Sequence, residues 1–387
     1  NTYRSGFLKY LQNLGVAGSA HLQNVYKEKM IRKHFRILAP FTRIEDVKLL
    51  KDAGADELYC GYVTEKLTKK WPLAFNILNR RGEGQSFEDY DTFRKATEQA
   101  NKYNLPVYVT INGLYTPEQY PLLLELVEIV ERLEGVKGII VADLGFLLTL
   151  KKKGFKKEIH ISTGGTCFNS NTADFFNNLG AKRIILDRQL TSYEIESTIK
   201  EIKSEIDVEL FIIAEGCKGL IDGFCTFFHC FETAKKNKIE KGVFLYPSYN
   251  INQHVKGCDF YFSNELAKGH FKTFCATSYK EKKAELKFQT KKFDTYGCRL
   301  CDLYDLNKYQ IKSLKIIGRG KKSEYTAKLV GLVSKALFWL TSNDISKKDY
   351  QRNCKKIFSK VILNNKRQCT KFDCYLSPYW IKNEKQI

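Results

Sequence analysis

Histidine and proline are scarce in this chain: it has 6 His and 7 Pro among 387 residues, with a single Met. With so little proline, no long polar tract reads as a linker. No run of roughly 18 uncharged apolar residues occurs, so no transmembrane helix is expected. The short signatures HExxH and GxSxG are missing, and no GxGxxG follows the first apolar strand. The start, Asn1-Thr2-Tyr3-Arg4, carries no apolar leader, and a cytoplasmic protein is expected. Acidic residues are also short, with 43 Asp and Glu against 64 Lys and Arg, a formal charge of +21. Charge of that size attracts polyanions such as RNA. Scattered Lys on solvated helix faces account for it equally, because the compact groups are few, such as Lys151-Lys152-Lys153.

What is present is a regular alternation. A hydrophobic content of 43% is ordinary for a globular protein. Short apolar runs begin at Arg36, Glu57, Pro106, Gly138, Glu158, Arg183, Val208 and Ser313, and each reads as a strand. Amphipathic helical spacing separates most of them, for example Leu122 to Leu133 and Thr172 to Leu179, the latter stopped by Gly180. Repeated strand–helix units joined by short turns imply a parallel sheet, and eight of them predict a closed α/β barrel of the (β/α)8 TIM type. The expected organisation is a helical segment over 1–34 and a barrel over 35–320. A Cys-rich insertion, 215–300, precedes the last strand, and a helical, Cys-containing tail covers 321–387.

In such barrels chemistry gathers at the C-terminal ends of the strands. Those ends place Asn112, Asp143, His160, Ser162, Thr163, Asn169, Asp187, Arg188, Glu215, Lys315 and Arg319 at one mouth. The candidate catalytic residues are His160, Arg188, Arg319 and Asn112. His160 has the ordinary pKa of a neutral-range base, or it is a satisfied core histidine. Arg188 and Arg319 fit a bidentate grip on a carboxylate, with ion pairs to Asp143 or Asp187 as the plainer alternative. Several Asp, Ser and Asn here also suit helix caps.

Cysteine is the opposite of scarce, with 12 residues concentrated in the second half. Without a leader, such cysteines point to metal or redox chemistry rather than disulfides. Cys217 and Cys225 follow the seventh strand, Cys258 lies in the insertion, and Cys298-x-x-Cys301 precedes the eighth strand. Cys230 and Cys275 are substitutes, and Cys354, Cys369 and Cys374 form a possible second site with Cys301 as a further ligand. Spacing alone leaves iron–sulfur and structural zinc equally open. Cys60 and Cys167 sit with the barrel strands and read as packing residues.

These segments resemble a known family. Gly54-Ala55-Asp56-Glu57-Leu58-Tyr59-Cys60-Gly61, Val107 to Asn112, Ile159 to Thr163, Glu209-Leu210-Phe211 leading to Cys217, and Ser313 to Arg319 occur in the order found in collagenase-like peptidase family U32. The first cysteine pair is one residue wider than the usual signature, and Ile317 stands where many members carry Glu. The resemblance implies a TIM-type barrel and a cysteine-ligated 4Fe-4S cluster, with Cys217, Cys225, Cys258 and Cys298 as ligands and Cys301 as substitute. It implies a hydroxylation-type modification factor acting on RNA or a small aromatic or carboxylate substrate, and the sequence leaves open whether the chain acts alone or with a partner protein subunit. A peptidase is one rival reading; His229 beside Cys230 is adjacent in sequence only, which does not make a dyad. A zinc-containing RNA-binding scaffold is the other.

Overall fold

The computed structural model describes residues 35–71, 78–79, 84–188, 190–215, 296–341, 345–369 and 374. The expected helical segment over 1–34 lies outside the described residues, as do Cys217, Cys225, Cys230, Cys258 and Cys275. The strands are β1 (Arg36–Pro40), β2 (Glu57–Cys60), β3 (Val107–Ile111), β4 (Val136–Val141), β5 (Glu158–Ile161), β6 (Arg183–Ile185), β7 (Asp207–Glu215), β8 (Tyr296–Cys298) and β9 (Ile311–Ile316). The helices are α1 (Ile44–Ala53), α2 (Glu65–Lys70), α3 (Tyr90–Lys102), α4 (Tyr120–Arg132), α5 (Leu144–Lys152), α6 (Ser170–Asn178), α7 (Ser192–Glu201), α8 (Leu303–Leu306), α9 (Ser323–Thr341) and α10 (Lys347–Val361).

Strands β1 to β6 pair in order, β6 pairs with β7, β7 with β9, and β9 returns to β1, every pair parallel. Eight parallel strands thus close the expected TIM-type barrel. The strands are buried on both faces, which is why they read as apolar runs rather than as alternating ones. Each turn has its own chemistry. Gly54 ends α1 in the left-handed conformation at φ 105°, which favours glycine. Asp89, Asp143, Asn169, Thr191 and Ser346 cap the helices that follow them.

Two features differ from the sequence expectation. The short β8 runs antiparallel to the end of β7, pairing Ile213 with Cys298 and Glu215 with Tyr296. Three residues, one of them glycine, carry no periodic signal, so this strand was not foreseen. The helix expected over Tyr325 to Leu340 extends from Ser323 to Thr341 as α9 and packs against α1 and β1. It is therefore the outer helix of the last barrel unit.

The barrel interior is layered. A cluster of Leu38, Tyr59, Tyr108, Ile140, Ile185 and Phe211 fills its middle, separate from the larger core between strands and helices. Toward the N-terminal ends of the strands the filling is charged. Arg183 is almost fully buried and grips Glu57 through two hydrogen bonds of 2.8 and 3.0 Å. The same guanidinium reaches Glu209 at 3.1 Å, and Lys315 Nζ meets the other Glu209 oxygen at 3.2 Å. Ser313 and Arg36 donate to Glu57 as well, at 3.1 Å each. Burial alone would raise the Glu57 carboxyl, but the bonded Arg183 holds it below its usual value. Such a network stands only when every charge is paired.

Candidate functional site

At the C-terminal ends of the strands the polar side chains interlock. Arg319, just past β9, donates to Thr110 Oγ1 at 2.6 Å and to the Asn79 carbonyl at 2.9 Å. Asn79 in turn donates to Ser86 Oγ at 3.0 Å. Gly61 makes this possible: a Cβ there would stand 2.3 Å from Ser86 Oγ and 2.7 Å from both Arg319 Nη1 and Asn79 Nδ2. Asn112 donates to Ser162 Oγ at 3.1 Å, and its own side-chain oxygen is buried without a hydrogen-bond partner among the described residues. The Asn79 side-chain oxygen is in the same condition. Two buried amide oxygens without a partner among the described residues are acceptors left for a donor on a ligand or water.

The mouth residues expected from sequence do not all stand at the mouth. Ser162, Thr163, Asp187 and Arg319 are buried at the rim, with Asn112 and Arg188 half-buried beside them and the Arg188 guanidinium 5.6 Å from the Phe211 ring centre. Asp143 and Asn169 cap helices: Asp143 accepts from the Phe146 amide at 2.6 Å, and Asn169 from the Thr172 amide at 2.9 Å. Lys315 lies deeper, over the Tyr59 ring at 4.4 Å and paired with Glu209. Burial pushes its ammonium down, while Glu209 opposes that shift. Glu215 ends β7, and its side chain lies outside the described residues.

His160 also lies inside the barrel, fully buried, with its ring 4.2 Å from that of Tyr108 and its Nε2 3.3 Å from Glu158. Burial lowers its pKa, so the imidazole is neutral near pH 7. Its Nδ1 has no hydrogen-bond partner among the described residues. It is the one histidine among them, and neither a cysteine nor a serine is bonded to it there. Asn79, Ser86 and Gly61 join the site without a place among the candidate residues of the strand ends. The first two lie on the connection between β2 and α3, where no strand rhythm flags them.

A second constellation lies beside β7. No disulfide joins the described cysteines. Cys60 and Cys167 are packed in the main core, and burial pushes the Cys167 thiol up to about 12. The other five come together. Cys298 on β8 forms a parallel bridge with Cys374 of the tail. Cys301, Cys369 and Cys374 all lie near enough to the buried Cys298 thiol to act on it electrostatically. Cys354 on α10 meets Cys301 thiol to thiol; that contact lowers the Cys301 pKa and raises that of Cys354. Among the described residues no three His, Cys, Asp or Glu side chains yet converge in a metal-holding arrangement. No described helix is long and apolar enough to cross a membrane.

Comparison with known proteins adds the following. The profile of Peptidase family U32 matches residues 42–370. A "tRNA hydroxylation protein P" of Helicobacter pylori is 29% identical over 181 residues, covering 47% of this chain and 39% of that protein. The "tRNA hydroxylation protein P1" of Bacillus subtilis is 27% identical over 183 residues, again 47% of this chain and 39% of the relative. An uncharacterized protease of Methanocaldococcus jannaschii is 28% identical over 192 residues, 49% of this chain and 42% of that one. The chain thus spans about two fifths of the length of these relatives. A solved U32 peptidase structure aligns with a TM-score of 0.40 and 15% identity, covering 52% of this chain and 78% of the other.

Proposed function

The chain belongs to peptidase family U32, and we propose that within it this protein is an RNA-modifying factor of the tRNA-hydroxylation type rather than a peptidase. The observation that carries the reading is the likeness to proteins named for tRNA hydroxylation in two bacteria. The excess of basic charge, +21, suits a phosphate-rich substrate. A rim with two amide oxygens lacking partners among the described residues, and with a half-buried arginine, suits recognition of a polar, donor-bearing group, such as a nucleobase edge or a small carboxylate co-substrate. His160, neutral and enclosed between Tyr108 and Glu158, has no nucleophile bonded to it among the described residues. That speaks for ring packing and hydrogen bonding rather than for a protease base.

The reading includes an iron–sulfur cluster held by thiolates of the insertion. Cys217, Cys225 and Cys258 are its candidate ligands, and the fourth position is open among Cys230, Cys275, Cys298 and Cys301. The chemistry of the donors fits, because cysteine thiolates are the usual ligands of such clusters. One of the candidates, Cys298, is a buried free thiol beside the end of β7, two residues short of which its partner Ile213 lies. A bound cluster supplies one-electron chemistry. The protein's own residues enclose the mouth, orient the substrate through Asn112 and Asn79, and keep Arg319 fixed.

The test is a comparison of RNA nucleosides, by mass spectrometry, from cells with and without the chain. The expected result is loss of a nucleoside carrying one extra oxygen, restored by the intact chain. Unaltered RNA, together with peptide hydrolysis by the purified protein, would overturn the reading.

A further inference from the structure

Free thiols in a core are ordinarily small hydrophobes, and a single one would need no explanation. The cysteines beside β7 are arranged differently. They come from three segments that the chain brings together over long sequence distances: the β8 turn, helix α10 and the tail after it. Two of the segments carry close pairs, Cys298-x2-Cys301 and Cys369-x4-Cys374. Paired cysteines of such spacing, one pair from each of two segments, are what a four-thiolate metal site is built from.

The surroundings hold both pairs in place. Cys298 and Cys374 face one another across a strand bridge, so one member of each pair is already adjacent. Cys369 is tied by its amide to Ser359 Oγ of α10 at 2.8 Å. Helix α10 is seated on the β8 turn through Tyr350, whose hydroxyl donates to the Leu300 carbonyl at 3.1 Å. Cys354, buried on the same helix, is directed at the Leu300 carbonyl, 3.9 Å away, and lies against Cys301.

We propose that Cys298, Cys301, Cys369 and Cys374 form a four-thiolate metal centre that fastens the tail to the barrel, with Cys354 as a hydrogen-bonding thiol behind Cys301. In the structure Cys298 stands beside Cys374, with Cys301 and Cys369 within electrostatic range of it rather than at one point, so the metal itself draws the site closed, as structural metals do in small cysteine-held elements. The shared chemistry is thiolate ligation of a soft or borderline metal, either a zinc ion or an iron–sulfur cluster. Binding converts thiols to thiolates and releases their protons to solvent. The centre is separate from the cluster of the insertion. By using both Cys298 and Cys301 it leaves Cys230 or Cys275 as the fourth ligand there.

The experiment uses the full chain, purified without oxygen, as wild type, as Cys369→Ala/Cys374→Ala and as Cys217→Ala/Cys225→Ala. Bound zinc, iron and acid-labile sulfide are measured in each. The tail variant is expected to lose one zinc, or about four irons with their sulfide, that the insertion variant keeps. Zinc or iron in the lost fraction identifies the occupant. Equal metal content in the tail variant and wild type would overturn the proposal, as would a wild type with disulfides between these residues. Should the tail variant fail to fold, alkylation of the wild type decides instead. Cys298, Cys301, Cys369 and Cys374 must be protected together and become reactive together on chelation; reactivity indifferent to the chelator overturns the centre.

Discussion

The barrel floor and the cysteine corner solve the same problem by different means. Both bury groups that do poorly alone in a protein interior. On the floor, the charges of Arg183, Glu57, Glu209 and Lys315 are paired with one another within the fold, and Ser313 adds a hydrogen bond, while Arg183 Nε and one Glu209 oxygen make no hydrogen bond among the described residues. At the corner, five thiols are gathered from three segments but meet only in pairs. Charged groups must be paired before a barrel can close around them, because an unpaired buried charge costs several kcal/mol. Thiols carry no such penalty while protonated, so a fold can assemble them first and leave the final contact to a metal.

The largest expected effect breaks the first half of that comparison. Arg183→Ala leaves Glu57 and Glu209 buried without their main partner and should cost about 3–5 kcal/mol in urea-unfolding free energy. The metal content of the tail should not respond in any protein that still folds. A smaller loss, about 1–3 kcal/mol, is expected for Gly61→Ala, whose new methyl group would collide with Ser86, Arg319 and Asn79. The damage should appear at the mouth, as faster amide exchange around Thr110 and Asn79.

Acid provides a graded test of the same network. The folded Glu57 carboxyl titrates below its usual value of 4.5. Its contribution to stability is therefore present in full above that value and is lost as pH falls toward the folded value. The urea midpoint should drop through this range in the wild type, and Arg183→Ala should flatten that limb; an unchanged limb would show that Arg183 does not hold the carboxyl down. The smallest effect is expected for Asn112→Ala, which removes one hydrogen bond to Ser162 and should cost only about 1 kcal/mol. If Asn112 orients substrate as proposed, RNA modification should fall far more than stability does.

The barrel was legible in the sequence because parallel strands buried on both faces leave unbroken apolar runs, and each of the eight runs marks a strand of the ring. Strand ends were less legible: Asp143, Thr163 and Arg188, placed at strand ends by the sequence, follow strands that stop at Val141, Ile161 and Ile185. Capping explains the first of these, since an Asp that accepts the Phe146 amide has left the ladder. The charged floor had a signal that went unused. Glu57, Arg183 and Glu209 each open or nearly open an apolar run, where a charge in the inward phase of a buried strand needs a partner across the barrel. The GAD-type motif has a physical content the letters alone do not give. Gly54 turns the chain, Asp56 accepts the Ile37 amide at 3.0 Å, and Glu57 anchors the floor. The gathering of the tail cysteines on β8 was not legible in full, because it depends on a three-residue strand and on the seating of α10.

The account's central claim is a cysteine-ligated redox cofactor in a barrel of this family. It is tested most directly by iron, acid-labile sulfide and the electron paramagnetic resonance spectrum of the full chain purified without oxygen, beside Cys217→Ala. The account predicts bound iron and sulfide in comparable amounts, and a signal on reduction that is lost or altered in the variant. Zinc alone, or no metal, with an unchanged variant and peptide hydrolysis in the same preparation, would contradict it.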